Sequence, residues 1–204
     1  MSDVVTDIFN NALIEAGVDE TISSADESSV SATRCRRIYD VTKRETLSSY
    51  PWSFATKLVN IAKIESTEAP VGFSYAFAYP SEALRVLNTY LSEGDYRSKN
   101  TRVRDEENTH IGVFENKKSI LSDSDATMAE IIVNVDETEF SSGFTRLLYL
   151  NMARKLAKLT GASQETKNDI LRDIALARSQ ALVENDGEID TSLSYSNEYV
   201  DVRG

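Results

Sequence analysis

One histidine, His110, and one cysteine, Cys35, bound the chemistry this chain can do. A zinc site takes several His or Cys ligands, and these two residues cannot supply them. Ser-His-Asp or Cys-His catalysis would have to run through His110, which opens a predicted strand with no supporting motif around it. Neither the phosphate-cradling G-x-x-x-x-G-K-[ST] nor the dinucleotide pattern G-x-G-x-x-G is present. Asp123-Ser124-Asp125 matches the opening of a calcium loop but lacks the later Gly and the closing Glu, so it reads as a turn. Carboxylates remain. Two acids about 5–10 Å apart, one with a raised pKa, hydrolyse glycosidic bonds. With 33 acidic residues the sequence neither places such a pair nor removes it. The expectation is a non-enzymatic chain with no catalytic, metal-binding or cofactor-binding residues.

The net charge of −11 disfavours general nucleic-acid binding, which needs clustered Lys and Arg, and favours repulsion from DNA. No apolar run approaches the roughly 20 residues of a membrane span, so no membrane partner is expected. Met1-Ser2-Asp3 lacks the basic region and apolar core of a signal peptide. A single Cys excludes an internal disulfide and implies no oxidising compartment.

The elements follow from periodicity. Val5, Ile8, Phe9, Ala12, Leu13 and Ala16 share one helical face, and Gly17 is placed to cap it. Ser24 and Glu27 form a capping box that predicts a second helix from Ser24 to about Ser49. Its apolar face is thin: Val30, Cys35, Ile38, Tyr39 and Leu47. Arg34, Arg36, Arg37, Lys43 and Arg44 make it basic, while no Lys or Arg precedes Arg34. The basic helix is therefore expected to pair with the acidic first one. Pro51 ends it.

Residues 57–64 fit a strand or a short helix. Phe73, Tyr75, Phe77 and Tyr79 then alternate with Ser and Ala, which predicts a strand with four rings on one face. That face must be covered, by core or by another chain. Pro80 breaks the strand, Ser81 to Leu84 turn, and Arg85 starts the next strand, where its fork fits a carboxylate or carbonyls. Residues 92–108 are polar and read as a loop; residues 110–121 read as a hairpin and 129–135 as a strand. Helix returns near Ser141 with Phe144, Leu147, Leu148, Met152, Leu156 and Leu159 in one stripe, widened by Leu150, Ala153 and Ala157, the pattern of a central helix. Ser163 starts a last helix facing inward with Ile170, Leu171, Ile174, Ala177, Ala181 and Leu182, and Gly187 is expected to end it.

The fold class predicted is α+β: a helical bundle of about four helices, residues 1–50 and 141–184, with a β-rich insertion of about five strands at 51–140 and an extended C-terminal arm at 185–204. Leu193, Tyr195, Tyr199, Val200 and Val202 dot that arm, so it is read either as disordered or as docking on a neighbour.

Pro51-Trp52-Ser53-Phe54-Ala55, then Tyr75-Ala76-Phe77-Ala78-Tyr79-Pro80, then Glu82-Ala83-Leu84-Arg85-Val86, resembles the head-to-tail adaptor of short-tailed bacteriophages, the tail tubular protein A type. The order of helices and strands extends the resemblance over most of the chain. It implies a structural virion protein at the neck or tail, present in the host cytoplasm during assembly. It implies a homo-oligomeric ring, twelve-fold, between the portal protein and the tail nozzle protein, with DNA passing through the centre unbound. Trp52, Phe54, Tyr75, Phe77, Pro80, Leu84 and Arg85 carry the structural motif. Phe73, Tyr79, Arg97, Arg102, Leu193, Tyr195, Tyr199, Val200 and Arg203 are the candidate subunit or partner contacts. Two other classes stay open: a carboxylate-based cell-wall hydrolase of the tail, and a nucleic-acid-binding regulator using the arginines of the second helix.

Overall fold

The structure, a computed structural model, describes residues 3–66, 68–91 and 109–194, the last seven of these by their backbone alone. It is an α+β fold with two structural units. One takes residues Met1–Phe54 and Val135–Gly204, the other Ala55–Asn134. The division falls a few residues inside the expected one, so Trp52 and Phe54 belong to the helical unit.

In the helical unit, α1 (Asp3–Glu15) buries Val5, Ile8, Phe9, Ala12 and Leu13. It ends as its sequence predicts: Gly17 takes φ +73°, its N–H donates to the Ile14 carbonyl and the Val18 N–H to that of Leu13. Only a residue without Cβ enters that region at little cost. α2 (Val30–Ser48) starts six residues later than the capping box suggests. The box does form. Glu27 accepts from the N–H groups of Ser23 and Ser24, but it closes a turn, and Ser29 is the cap, its hydroxyl accepting from the Ala32 N–H. The buried face of α2 also differs from the apolar one. It comprises Ser31, Ala32, Cys35, Tyr39, Thr42, Lys43, Thr46 and Leu47, while Val30 is 64% exposed. Thr42 and Thr46 hide their hydroxyls by donating to the Ile38 and Thr42 carbonyls, so they pack as small apolar groups.

α3 (Ser142–Leu159) is central, as its all-round hydrophobicity requires: Phe144, Leu147, Leu148, Leu150, Met152, Ala153, Leu156 and Ala157 are buried, and each of the other three helices packs on it. α1 and α2 lie mainly against α3 and meet each other over a smaller contact, where the Phe9 ring packs edge to face on Tyr39 at 5.3 Å, so the expected pairing of the acidic with the basic helix is present only in that reduced form. α4 (Gln164–Ser194) buries Ile170, Ala177 and Ala181 but leaves Leu171 half in water. It does not stop at Gly187 and runs on through Ser194, so the first half of the predicted arm is helix. One Gly costs a helix about 1 kcal/mol, and two contacts hold this part in place. The Asn185 side-chain oxygen accepts from the Ser53 N–H at 2.7 Å, and Asp186 from the Tyr50 hydroxyl at 3.0 Å.

The second unit is built from two antiparallel sheets with strand orders β1-β6-β3 and β2-β5-β4. Among the described residues the strands are β1 (Thr56–Asn60), β2 (Tyr75–Ala78), β3 (Ala83–Tyr90), β4 (Thr109–Phe114), β5 (Lys117–Ser122) and β6 (Met128–Val133), six where about five were expected. The open choice at 57–64 resolves as strand β1 and an extended continuation bridged to β2. The hairpin turn is two residues, not four: Glu115 and Asn116 both take positive φ, the twist that matches antiparallel strands. The core lies between the sheets, with Phe77 and Ile120 from one and Ala129 and Ile131 from the other.

Candidate functional site

Around the motif segment the helical unit gathers five rings. Trp52 is buried; its ring meets Tyr50 and Phe144 edge to face at 5.4 and 5.2 Å and stacks on Phe54 at 6.3 Å. Phe54 touches Phe140 and Phe144, which pack at 4.7 Å from each other. The Trp52 indole N–H donates to the Thr46 carbonyl at 3.1 Å, closing the end of α2. Edge-to-face pairs add about 0.5–1.5 kcal/mol each beyond burial, so this cluster fixes the path by which the chain leaves the helices.

The alternating aromatic strand mostly fills core. Phe77 is buried, and Tyr75 and Tyr79 pack beside it as half-buried residues. Their outer faces carry cations: Lys63 Nζ lies 4.2 Å from the Tyr75 ring centre and Lys118 Nζ 3.6 Å from that of Tyr79. Phe73, just before the strand, stacks on His110 at 6.0 Å, which gives the histidine a packing role. Pro80 accepts the Ala83 N–H, so the strand after the turn already begins at Ala83. Leu84 is half-buried and Arg85 points to the surface of β3 opposite Ile132. The Asp123–Asp125 turn works as a clamp: Asp123 accepts from the Ser74 N–H and hydroxyl, and Asp125 pairs with Lys63.

Sequence reasoning missed a polar group in the helical unit. Tyr39 donates to Glu137 Oε1 at 2.6 Å and Lys43 Nζ meets the same oxygen at 2.9 Å, while Lys43 also lies over the Phe140 ring. Burial pushes the Glu137 carboxyl up, but the bonds from Tyr39 and Lys43 outweigh it and hold the carboxyl below its ordinary range. Burial and the bond to Glu137 raise the Tyr39 phenol. Burial likewise raises the Cys35 thiol to about 12, so it is no nucleophile. The group joins α2 to the one-turn helix Glu137–Glu139 that leads into α3. Helical spacing shows that Tyr39 and Lys43 share a face, but nothing local points them at Glu137.

Of the remaining predicted contacts, Leu193 falls in the last turn of α4. Arg97, Arg102, Tyr195, Tyr199, Val200 and Arg203 lie outside the described residues. Among the described residues no three His, Cys, Asp or Glu stand where they could hold a metal ion, and no helix is long and apolar enough to cross a membrane. The chain matches no family model and no curated protein sequence.

Proposed function

We propose that this chain is a head-to-tail adaptor of a short-tailed bacteriophage, a structural subunit that forms a homo-oligomeric ring, twelve-fold by resemblance, between portal and tail nozzle. The observation that carries the reading is the layout. A strand unit is inserted into a bundle made from the two ends of the chain, and the Trp52–Phe54 segment anchors the bundle immediately before the crossing. That is the arrangement the resemblance implies. The acidic balance suits a channel that lets DNA pass without adhering. Among the described residues the carboxyls whose pKa is displaced, Glu27, Asp136 and Glu137, are held low, the opposite of the raised acid that sugar hydrolysis needs.

The test is co-purification with the portal protein of the same phage, read as the mass of the complex. Asn185 and Asp186 hold the helical unit together, so the informative truncation removes only residues 195–204. The full chain is expected to bind the portal and the truncated chain to fold but bind at least tenfold more weakly. A full chain that stays apart from the portal, or that clears peptidoglycan in a zymogram, overturns the reading.

A further inference from the structure

α1 and α2 each turn a charged face outward. On α2, Val30, Arg34, Arg37, Val41 and Arg44 recur at i, i+4, i+7, i+11 and i+14, and all five are exposed, Val30 at 64% and Val41 at 55%. None of these arginines makes an ion pair among the described residues. Of the neighbouring charges on the helix, Arg36 donates to the Ala25 and Glu27 carbonyls and Glu45 pairs with Lys155, while Asp40 is exposed at the edge of this face, leaving it three arginines to one acid. On α1, Asp3, Asp7 and Ile14 recur at i, i+4 and i+11 and are exposed, Ile14 at 59%. No cation precedes Arg34 in the chain.

One face is therefore basic with two valines set among the arginines, the other acidic with an apolar end. Their spacings correspond. Ile14 and Asp7 are two turns apart, as are Val41 and Arg34, and as are Val30 and Arg37. We infer that the α1 face of one copy docks on the α2 face of the next, with Ile14 against a valine and Asp7 against an arginine. This contact joins two different surfaces, so repeating it builds a ring if the rotation closes. It deepens the ring reading given above and rests on it. A single contact between helices of this length falls short of the roughly 1,200–2,000 Å² of a stable interface, so ring closure is what makes the assembly persist, and its strength falls with salt.

Sedimentation velocity of the full chain across a concentration series at low and high salt is the experiment. Self-association is expected at low salt and weaker association at high salt. Two variants are compared, Arg34→Glu/Arg37→Glu/Arg44→Glu and Asp3→Lys/Asp7→Lys. Each alone should associate about 100-fold more weakly, since like charges face each other across the contact. Mixed one to one, they should associate again, because each then offers the charge the other lacks. That rescue also shows that both variants are folded. A wild-type chain that is monomeric at low salt throughout overturns the inference, as does a mixture that fails to recover. A ring that forms equally well from either variant overturns the inference and leaves the adaptor reading standing. Loss of DNA-duplex binding in the arginine variant, with self-association intact, assigns the α2 face to nucleic acid instead.

Discussion

At the scale of single residues, Glu137 is a side chain whose partners only the fold supplies. It accepts from a phenol and an ammonium that are themselves largely buried, with only 9% of the Lys43 side chain exposed. Glu137→Gln should cost about 1.5–3 kcal/mol, the range for hydrogen bonds to charged groups, measured by urea unfolding at pH 7. The pH dependence has a definite sign. The folded carboxyl sits below its unfolded value, so its contribution is present above the unfolded pKa and is lost as pH falls through the folded one. The wild type should lose stability on acidification below about pH 5, and Glu137→Gln should flatten that limb. Trp52 offers a second measurement. Trp52→Ala removes a buried ring from a five-ring cluster and the cap on the Thr46 carbonyl, and should cost about 3–5 kcal/mol in the same assay. Of these two residues only Trp52 was legible beforehand. A lone Trp beside Pro51 announces a packed turn, whereas Glu137 is one acid among 33 and gains its partners only when α2 comes to lie beside the start of α3.

At the scale of elements, two glycines in helices predict opposite outcomes for one substitution. A Cβ at Gly143 would stand 2.9 Å from the Ala181 Cα and collide with Glu184, whose carboxylate accepts from the Gly143 N–H and the Ser142 hydroxyl at the start of α3. Gly143→Ala should push α3 and α4 apart and cost about 1–3 kcal/mol. A Cβ at Gly187 meets nothing, so Gly187→Ala should raise stability by up to about 1 kcal/mol and increase the helical signal in circular dichroism. Helix existence was legible throughout, because the apolar spacing of α1 and α3 is unbroken. Boundaries and faces were less so. Glu27 spent its carboxylate on a turn rather than a helix start, Thr42 and Thr46 are buried although polar, and Gly187 failed to stop a helix whose preceding residues, Asn185 and Asp186, are tied to Ser53 and Tyr50. Alternation made the aromatic strand and β6 visible and the polar turn gave the β4–β5 hairpin, whereas periodicity left β1 open between strand and short helix. The ring periodicity alone left open what covers the aromatic face; in the fold Phe77 goes to the core between two sheets, and Lys63 and Lys118 lie over the ring faces of Tyr75 and Tyr79.

At the scale of the whole molecule, the chain makes one unit from its two ends and a second from its middle. The strand unit begins with β1 and ends with β6, and these two pair antiparallel, Thr56 opposite Ile132. Entry and exit are thus about 5 Å apart, one strand spacing. The helical unit should survive replacement of residues 55–134 by a short Gly-Ser linker and unfold cooperatively with the near-ultraviolet signal of Trp52 retained. Loss of that signal would show that the helices need the strands. The same side-by-side ends free each unit to change without the other. A gene can lengthen, trim or exchange the middle segment while leaving the frame that holds it, so lineages descended from one ancestor can diverge fastest in that cassette and slowest in the helices that carry it.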